Sequence, residues 1–201
     1  MDGRLRRATP ADADLLAWGL NEAAGGLFDV LLGRRASHIL ASIMSQPTHA
    51  FSFEHAVLFE MNAVPVGMCQ GFPYGTPEGV RAFVHAAKLR TFRAAIVAGL
   101  GWPVFAAMSH HSPGEWYLQA IAVRANARGM GVGATLLANA TSRAIRAGCD
   151  ALTLDVDAKN VRAKALYERE GFQERSLSPR APLAGGARVY RMSKPVHNRD
   201  Q

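Results

Sequence analysis

The segment ARGMGVGATLL, residues 127–137, sets Gly129, Gly131 and Gly133 at every second position and then turns into a leucine- and alanine-rich run. Glycine gives up more backbone freedom on folding than any other residue, so such a cluster marks backbone that adopts an unusual conformation or is approached closely. The run WYLQAIAV before it reads as a strand, and Val132, Leu136, Leu137, Ala140 and Ile145 after it share the inner face of a helix. A strand–loop–helix junction leaves the first N–H groups of the helix unpaired, and with the helix macrodipole they attract phosphate. Arg128 adds a positive charge at the mouth. The spacing is neither the G-x-x-x-x-G-K-S/T of a nucleotide-triphosphate loop nor the G-x-G-x-x-G of a dinucleotide fingerprint. From the loop alone, a phosphate cradle stands against a turn that merely packs helix on strand.

Carboxylates are the other chemistry-bearing residues. In LTLDVDAKN, the apolar Leu152, Leu154 and Val156 alternate with Thr153, Asp155 and Asp157, as on a strand with one buried face. Asp155 is one candidate general base, and Glu115, just before WYLQAIAV, is the other; either also reads as a solvated strand-end residue. His110 and His111 read as loop histidines on the surface, and second as substrate contacts. Cys69 and Cys149 lie far apart in apolar surroundings, which gives no metal-type spacing and no Cys–His nucleophile pair.

Positioning these groups needs a layered framework. RLRRAT predicts a short strand, followed by a helix whose N-cap is Thr9, with Pro10 in the first turn and Asp12 where a capping box wants an acid. Phe28, Leu31, Leu32, Ile39 and Ile43 recur at helical spacing with a break at Gly33. HAVLFEMN and VPVGMCQGF predict a hairpin turning at Asn62 and Ala63. Thr76, Pro77 and Glu78 open a further helix with Val80, Phe83, Val84 and Ala87 on one face. Beyond it, strands are expected over 117–123 and 152–156, and helices over 131–147 and 161–170, the last closed by Gly171. Strands around 172–177 and 188–192 finish the chain. This order predicts one α/β (α+β layered) domain over residues 1–201.

The chain has 201 residues, 49% of them hydrophobic and 19% charged, enough apolar material for one core. No N-terminal stretch has the pattern of a signal peptide, and the apolar segment 94–108 is too short for a membrane span, so a cytoplasmic protein is expected. The net charge of +7 favours anionic partners, but the basic residues are scattered, which puts nucleic acid well behind a solvated basic surface.

Taken together, RARGMGVGATLL, the preceding YLQAIAV, LTLDVDAKN and NVRAKALYEREGF resemble the GNAT N-acetyltransferase superfamily, in the right order over residues 115–175. The resemblance implies a central mixed, mostly antiparallel sheet flanked by helices, with a helical insertion (about 75–114) between the third and fourth strands. That insertion would shape the acceptor site or a dimer interface. The resemblance also implies acetyl-CoA as cofactor. The backbone of Arg128, Gly129, Met130, Gly131, Val132, Gly133 and Ala134 would hold its pyrophosphate, and the strand edge at Ile121, Ala122 and Val123 its pantetheine arm. Asn160 would cap its helix beside the cofactor, and Tyr167 would protonate the departing thiolate. Asp155 falls where ribosomal-protein N-terminal alanine acetyltransferases carry a glutamate base. The expected activity is acetyl transfer to a primary amine, small-molecule or peptide, by direct attack in a ternary complex; a non-catalytic acyl-CoA sensor is the alternative.

Overall fold

The computed structural model describes residues 3–77, 112–178 and 188–196. The helix expected after Thr76, its aromatic neighbours Phe92, Trp102 and Phe105, and the pair His110 and His111 lie outside the described residues, as does nearly all of the expected insertion.

The first strand, β1 (Gly3–Arg7), leads into a 3-10 turn at Pro10–Asp12 and helix α1 (Ala13–Ala23). The expected cap is there: the Thr9 N–H and hydroxyl donate to Asp12 Oδ2 at 2.8 and 2.9 Å. Arg6 forks the same carboxylate at 2.7 and 2.8 Å. That fork, above all, holds the Asp12 carboxyl down at about 2. Helix α2 (Leu27–Leu32) stops at Gly33, whose φ of 63° only glycine adopts cheaply, and α3 (Ala36–Met44) follows. Strands β2 (Ala56–Met61) and β3 (Val64–Pro73) form the hairpin, with Asn62 and Ala63 at φ 51° and 61° as a two-residue turn of the primed type requires. Then come β4 (Glu115–Val123), α4 (Val132–Arg146), β5 (Ala151–Asp157), α5 (Val161–Arg169), β6 (Gln173–Leu177) and β7 (Val189–Pro195).

The strands build one seven-stranded sheet in the order β1-β2-β3-β4-β5-β7-β6. Every neighbouring pair is antiparallel except β4 and β5, which run parallel. On one side, Leu16 and Leu20 of α1 and Leu40 and Ile43 of α3 pack on Leu58, Met68, Ala120 and Ala122. On the other, Leu136, Leu137 and Ala140 of α4 and Tyr167 of α5 pack on Trp116, Leu118, Leu152 and Leu154. Ala144 completes the buried stripe of α4, while Ile145 is only partly buried.

Two irregularities at the middle of the sheet matter for function. The β3–β4 register jumps from Gln70↔Ala120 to Gly71↔Leu118, so Gln119 is an extra, unpaired residue, a β-bulge. In consequence Leu118 and Ile121, three apart, pack in the same core cluster. The parallel β4–β5 pairing covers only Glu115–Leu118 against Ala151–Leu154 and ends at that same bulge. A Cβ on Gly71 would collide with the Trp116 ring and lie 2.6 Å from the Tyr117 carbonyl. Gly71→Ala is therefore expected to destabilise the protein by about 2–3 kcal/mol, measured by urea denaturation, because backbone rather than a flexible side chain must give way.

Candidate active site

The parallel pairing of β4 with β5 stops at Leu118 and Leu154, yet β4 runs on to Val123, bonded to β3, and β5 runs on to Asp157, bonded to β7. The edge of β4 facing β5 is therefore unpaired over Gln119–Val123. The side chains of Ile121 and Val123 are partly buried against the α4 side of the core, and Ala122 is buried against the other. That leaves the backbone of this stretch as its hydrogen-bonding resource. Strand edges with unpaired N–H and C=O groups accept extended chains as added strands.

The unpaired edge leads straight into the glycine loop. Gly129 and Gly131 take φ of 80° and 81°, and a Cβ on either would meet nothing within 4 Å. Both glycines are thus required by backbone conformation, and open space lies in front of them. Gly133, inside α4, has Leu166 at 3.4 Å from its would-be Cβ, where α4 and α5 touch. No side chain caps α4 at Gly131, and the first backbone bond into the loop is Thr135 N–H to the Gly131 carbonyl at 3.0 Å. The amides of Val132, Gly133 and Ala134 thus begin the helix without intrahelical partners, the arrangement that suits an anion. Met130 stands exposed in the loop and Val132 is buried beneath it as the anchor.

Arg128, at the mouth of the loop, makes two side-chain contacts. Its Nε donates to the Val123 carbonyl at 2.9 Å and its Nη2 pairs with Glu22 at 2.8 Å, so its charge is balanced and ties the loop to α1. Its own amide donates to Ala125 at 3.4 Å. The guanidinium over the Trp18 ring, 4.7 Å from its centroid, belongs to Arg124, a second cation just before the loop that no local motif marks.

Tyr167 is buried in the α4–α5 core, tilted against Phe172 at 5.7 Å between ring centroids, and its hydroxyl makes no hydrogen bond among the described residues. Burial, reinforced by the neighbouring Cys69, holds that hydroxyl above the ordinary tyrosine range, so it keeps its proton at neutral pH. Asn160 caps α5: its Oδ1 accepts the Ala163 N–H at 3.1 Å.

The two candidate bases are both engaged. Asp155 receives Arg191 Nε at 2.7 Å on Oδ1, and Arg191 Nη2 at 2.8 Å with the Tyr117 hydroxyl at 3.1 Å on Oδ2. Its side chain is 8% exposed. Burial, and then the Asp155 charge, push the Tyr117 hydroxyl far above its usual range. For Arg191, burial is the largest single influence and pulls downward, but the hydrogen bonds it donates to Asp155, with the Asp155 charge and lesser contributions from Tyr117 and Glu115, together outweigh it and the guanidinium is raised. Glu115 accepts the Ser112 N–H at 2.9 Å and pairs opposite Ala151, four residues before the bulge and so roughly 13 Å from it along the strand. The fork where β4 parts from β5 thus has Asp155 just past the last shared rung, β4 runs on from it to the glycine loop, and Glu115 stands at the other end of β4. Neither Tyr117 nor Arg191 was among the expected site residues, since nothing in local patterning links positions 117, 155 and 191.

The family model for the acetyltransferase (GNAT) family matches residues 35–172, more than half of the chain. The chain belongs to the GNAT acetyltransferase family. Solved structures agree on the GNAT fold. An acetyltransferase superposes with a TM-score of 0.70 at 24% identity, covering 96% of this chain and 100% of that one. An N-acetyltransferase from Staphylococcus aureus Mu50 reaches 0.67 at 16% identity, covering 94% and 99%. The ribosomal-protein-S18-alanine N-acetyltransferase from Escherichia coli reaches 0.56 at 16% identity, covering 100% and 99%. A sequence relative, an uncharacterized protein of Mycobacterium leprae (strain TN), is 36% identical over 95 residues, 47% of this chain. The match spans 26% of that protein's length.

Among the described residues no group of three or more His, Cys, Asp or Glu side chains is set to hold a metal, and no helix is long and apolar enough to cross a membrane.

Proposed function

We propose that this GNAT protein, a single domain over residues 1–201, is an N-acetyltransferase that moves acetyl from acetyl-CoA to a primary amine by direct attack in a ternary complex. One observation carries the reading: the unpaired β4 edge, Gln119–Val123, ends in a loop whose amides at the start of α4 have no partners. An extended arm that terminates in a pyrophosphate fits that sequence of groups. When bound, acetyl-CoA supplies an activated acyl thioester.

The amides from Gly129 to Ala134 bind the pyrophosphate, and the backbone of Ile121, Ala122 and Val123 binds the arm. A strand N–H of this edge would polarise the thioester carbonyl. Tyr167 would be the proton donor to the departing thiolate, and its raised pKa keeps that proton on the hydroxyl at neutral pH. Asn160 fixes the start of α5 beside them. Asp155, with both oxygens engaged, holds Tyr117 and Arg191 in place rather than accepting a proton; Glu115, bonded to Ser112 at the far end of β4, is the remaining candidate base and would take the amine proton only through intervening water. The engaged carboxylates favour one second reading, a non-catalytic acyl-CoA-binding module. Free thiols at Cys69 and Cys149 accord with a reducing compartment such as the cytoplasm. The acceptor is a small-molecule or peptide amine.

Calorimetric titration with acetyl-CoA, CoA and NAD tests the cofactor: saturable binding of the first two but not NAD is expected, and no binding at millimolar acetyl-CoA overturns it. Amine-dependent thiol release separates enzyme from sensor. In that assay Tyr167→Phe should lower kcat by about 100-fold or more with the acetyl-CoA Kd unchanged. An unchanged kcat would remove Tyr167 from the mechanism.

A further inference from the structure

Three arginines meet at the end of α4 that lies away from the glycine loop. Arg143 and Arg146 stand three apart in its last turn, on neighbouring positions of one face. The Arg143 guanidinium reaches the end of the sheet. Its Nη1 donates to the His55 carbonyl at 3.0 Å and its Nη2 to the Gly71 carbonyl at 3.5 Å, with Cζ 5.3 Å from the centroid of the Trp116 ring. Arg7 comes from β1. By strand alternation it shares a face with Gly3, whose Cβ would meet the Phe59 ring on the α4 side, while Arg4 and Arg6 turn to Glu60 on the other. Val57, opposite Arg7, stands two residues beyond His55, whose carbonyl holds Arg143.

Arg7 and Arg146 are exposed, and Arg143 is partly buried. Among the described residues no carboxylate pairs with any of the three, whereas Arg4, Arg6, Arg128 and Arg191 each have one. Burial, and then the like charges of Arg7 and Arg146, hold the Arg143 guanidinium below its usual range against the opposing pull of Cys69. The helix macrodipole accounts for cations in the last turn of α4. It does not account for Arg7, on another element, or for three like charges gathered without a counter-charge, which repel one another.

We propose that Arg7, Arg143 and Arg146 form a second anion site, at the far end of α4 from the glycine loop, which takes a triphosphate group. Guanidinium forks match phosphate oxygens, and a triphosphate offers one phosphate to each arginine. Arg143 is the fixed member: the two carbonyls and the ring hold it, and they use two of the five N–H donors of a guanidinium. A donor held before the ligand arrives loses little freedom on binding. Arg7 and Arg146 bring the other two forks from β1 and from α4. The 15 residues of α4 put about 20 Å between this site and the loop, so the site is independent of the cofactor reading.

Calorimetry of the full chain with inorganic tripolyphosphate at low ionic strength tests the proposal, with ATP as a second arm. Saturable binding is expected, and Arg7→Gln combined with Arg146→Gln should weaken it at least about tenfold, since two charge-assisted contacts are lost. The thermal midpoint of that variant without phosphate should hold or rise, because repulsion around Arg143 is relieved. Arg143 is left in place, as it also ties α4 to the sheet. ATP binding as tightly as tripolyphosphate assigns recognition to the phosphates alone; tighter ATP binding, lost in the same variant, adds the nucleoside. Gly131→Val, altered only in the loop, should still bind tripolyphosphate. Tripolyphosphate affinity unchanged in the double arginine variant overturns the proposal, whatever the loop does. So does a response that sodium sulfate reproduces at equal ionic strength, the mark of a solvated basic surface.

Discussion

Replacing Gly131 by valine is expected to weaken acetyl-CoA binding by at least about 100-fold, ~3 kcal/mol, while unfolding stays cooperative. Gly131 holds φ at 81°, a conformation that costs an L-residue about 1–2 kcal/mol, and more for a β-branched one. Because a Cβ there meets nothing within 4 Å, the substitution does not break packing. It acts in two other ways. The loop either relaxes to a negative φ, which turns the amides that start α4 away from a common centre, or keeps its path and projects a branched side chain into the open space before them. Both outcomes damage an anion site and spare the core beneath, where Val132, Leu136 and Leu137 remain buried. Gly131→Ala should fall between, and Gly133→Ala should be mild, since its Cβ meets Leu166 at an ordinary 3.4 Å. Calorimetry with acetyl-CoA, paired with thermal unfolding, separates the effects. Unchanged affinity in Gly131→Val would remove the loop from the cofactor site.

The second large effect lies in stability. Asp155→Ala is expected to cost about 3–5 kcal/mol, because it withdraws the carboxylate that balances Arg191 and receives the Tyr117 hydroxyl. The three groups stand on β5, β7 and β4, so the ion pair and hydrogen bond cross three neighbouring strands just where β4 and β5 separate. Asp155→Asn keeps an oxygen for Tyr117 and should lose less. Replacing both partners, Asp155→Leu with Arg191→Met, should recover much of the loss, since a buried ion pair contributes little over well-packed apolar side chains once both charges are gone. Urea denaturation reads these differences. The comparison also decides the role of Asp155: a positioning carboxylate gives Asp155→Asn a lower midpoint and a modest change in kcat. A proton acceptor gives a stable protein with kcat reduced by about 100-fold or more.

Local grammar in the sequence was enough for much of this molecule. The Thr9–Asp12 cap, the stop at Gly33, the hairpin at Asn62 and Ala63, and the strand–loop–helix around Gly131 each depend on residues a few positions apart, whose φ preferences and hydrogen bonds act before any tertiary contact forms. Those preferences marked both the glycine loop and its place between β4 and α4, and with them the outline of the candidate site. What patterning could not supply was partnership at a distance. Arg128 reads in the sequence as a positive charge at the mouth of the loop, and nothing nearby shows that Glu22, 106 positions away, pairs with it. Asp155 looked like an available base because Arg191, 36 positions on, reaches it only once β7 has inserted between β5 and β6.

The bulge at Gln119 is the clearest division between the two levels. WYLQAIAV read as an ordinary strand, and an alternating run contains no sign of which residue will be left out of a ladder; the register with β3 decides that. Sequence by itself determined most of the described elements, the glycine loop between β4 and α4 and the family, because each is written in short-range spacing of glycines, caps and apolar residues. Only the tertiary structure decided which charges are neutralised, where β4 parts from β5 and which residue of β4 is left out of the ladder. Those outcomes depend on strand order and register, and register is a sum over contacts between segments that are far apart along the chain.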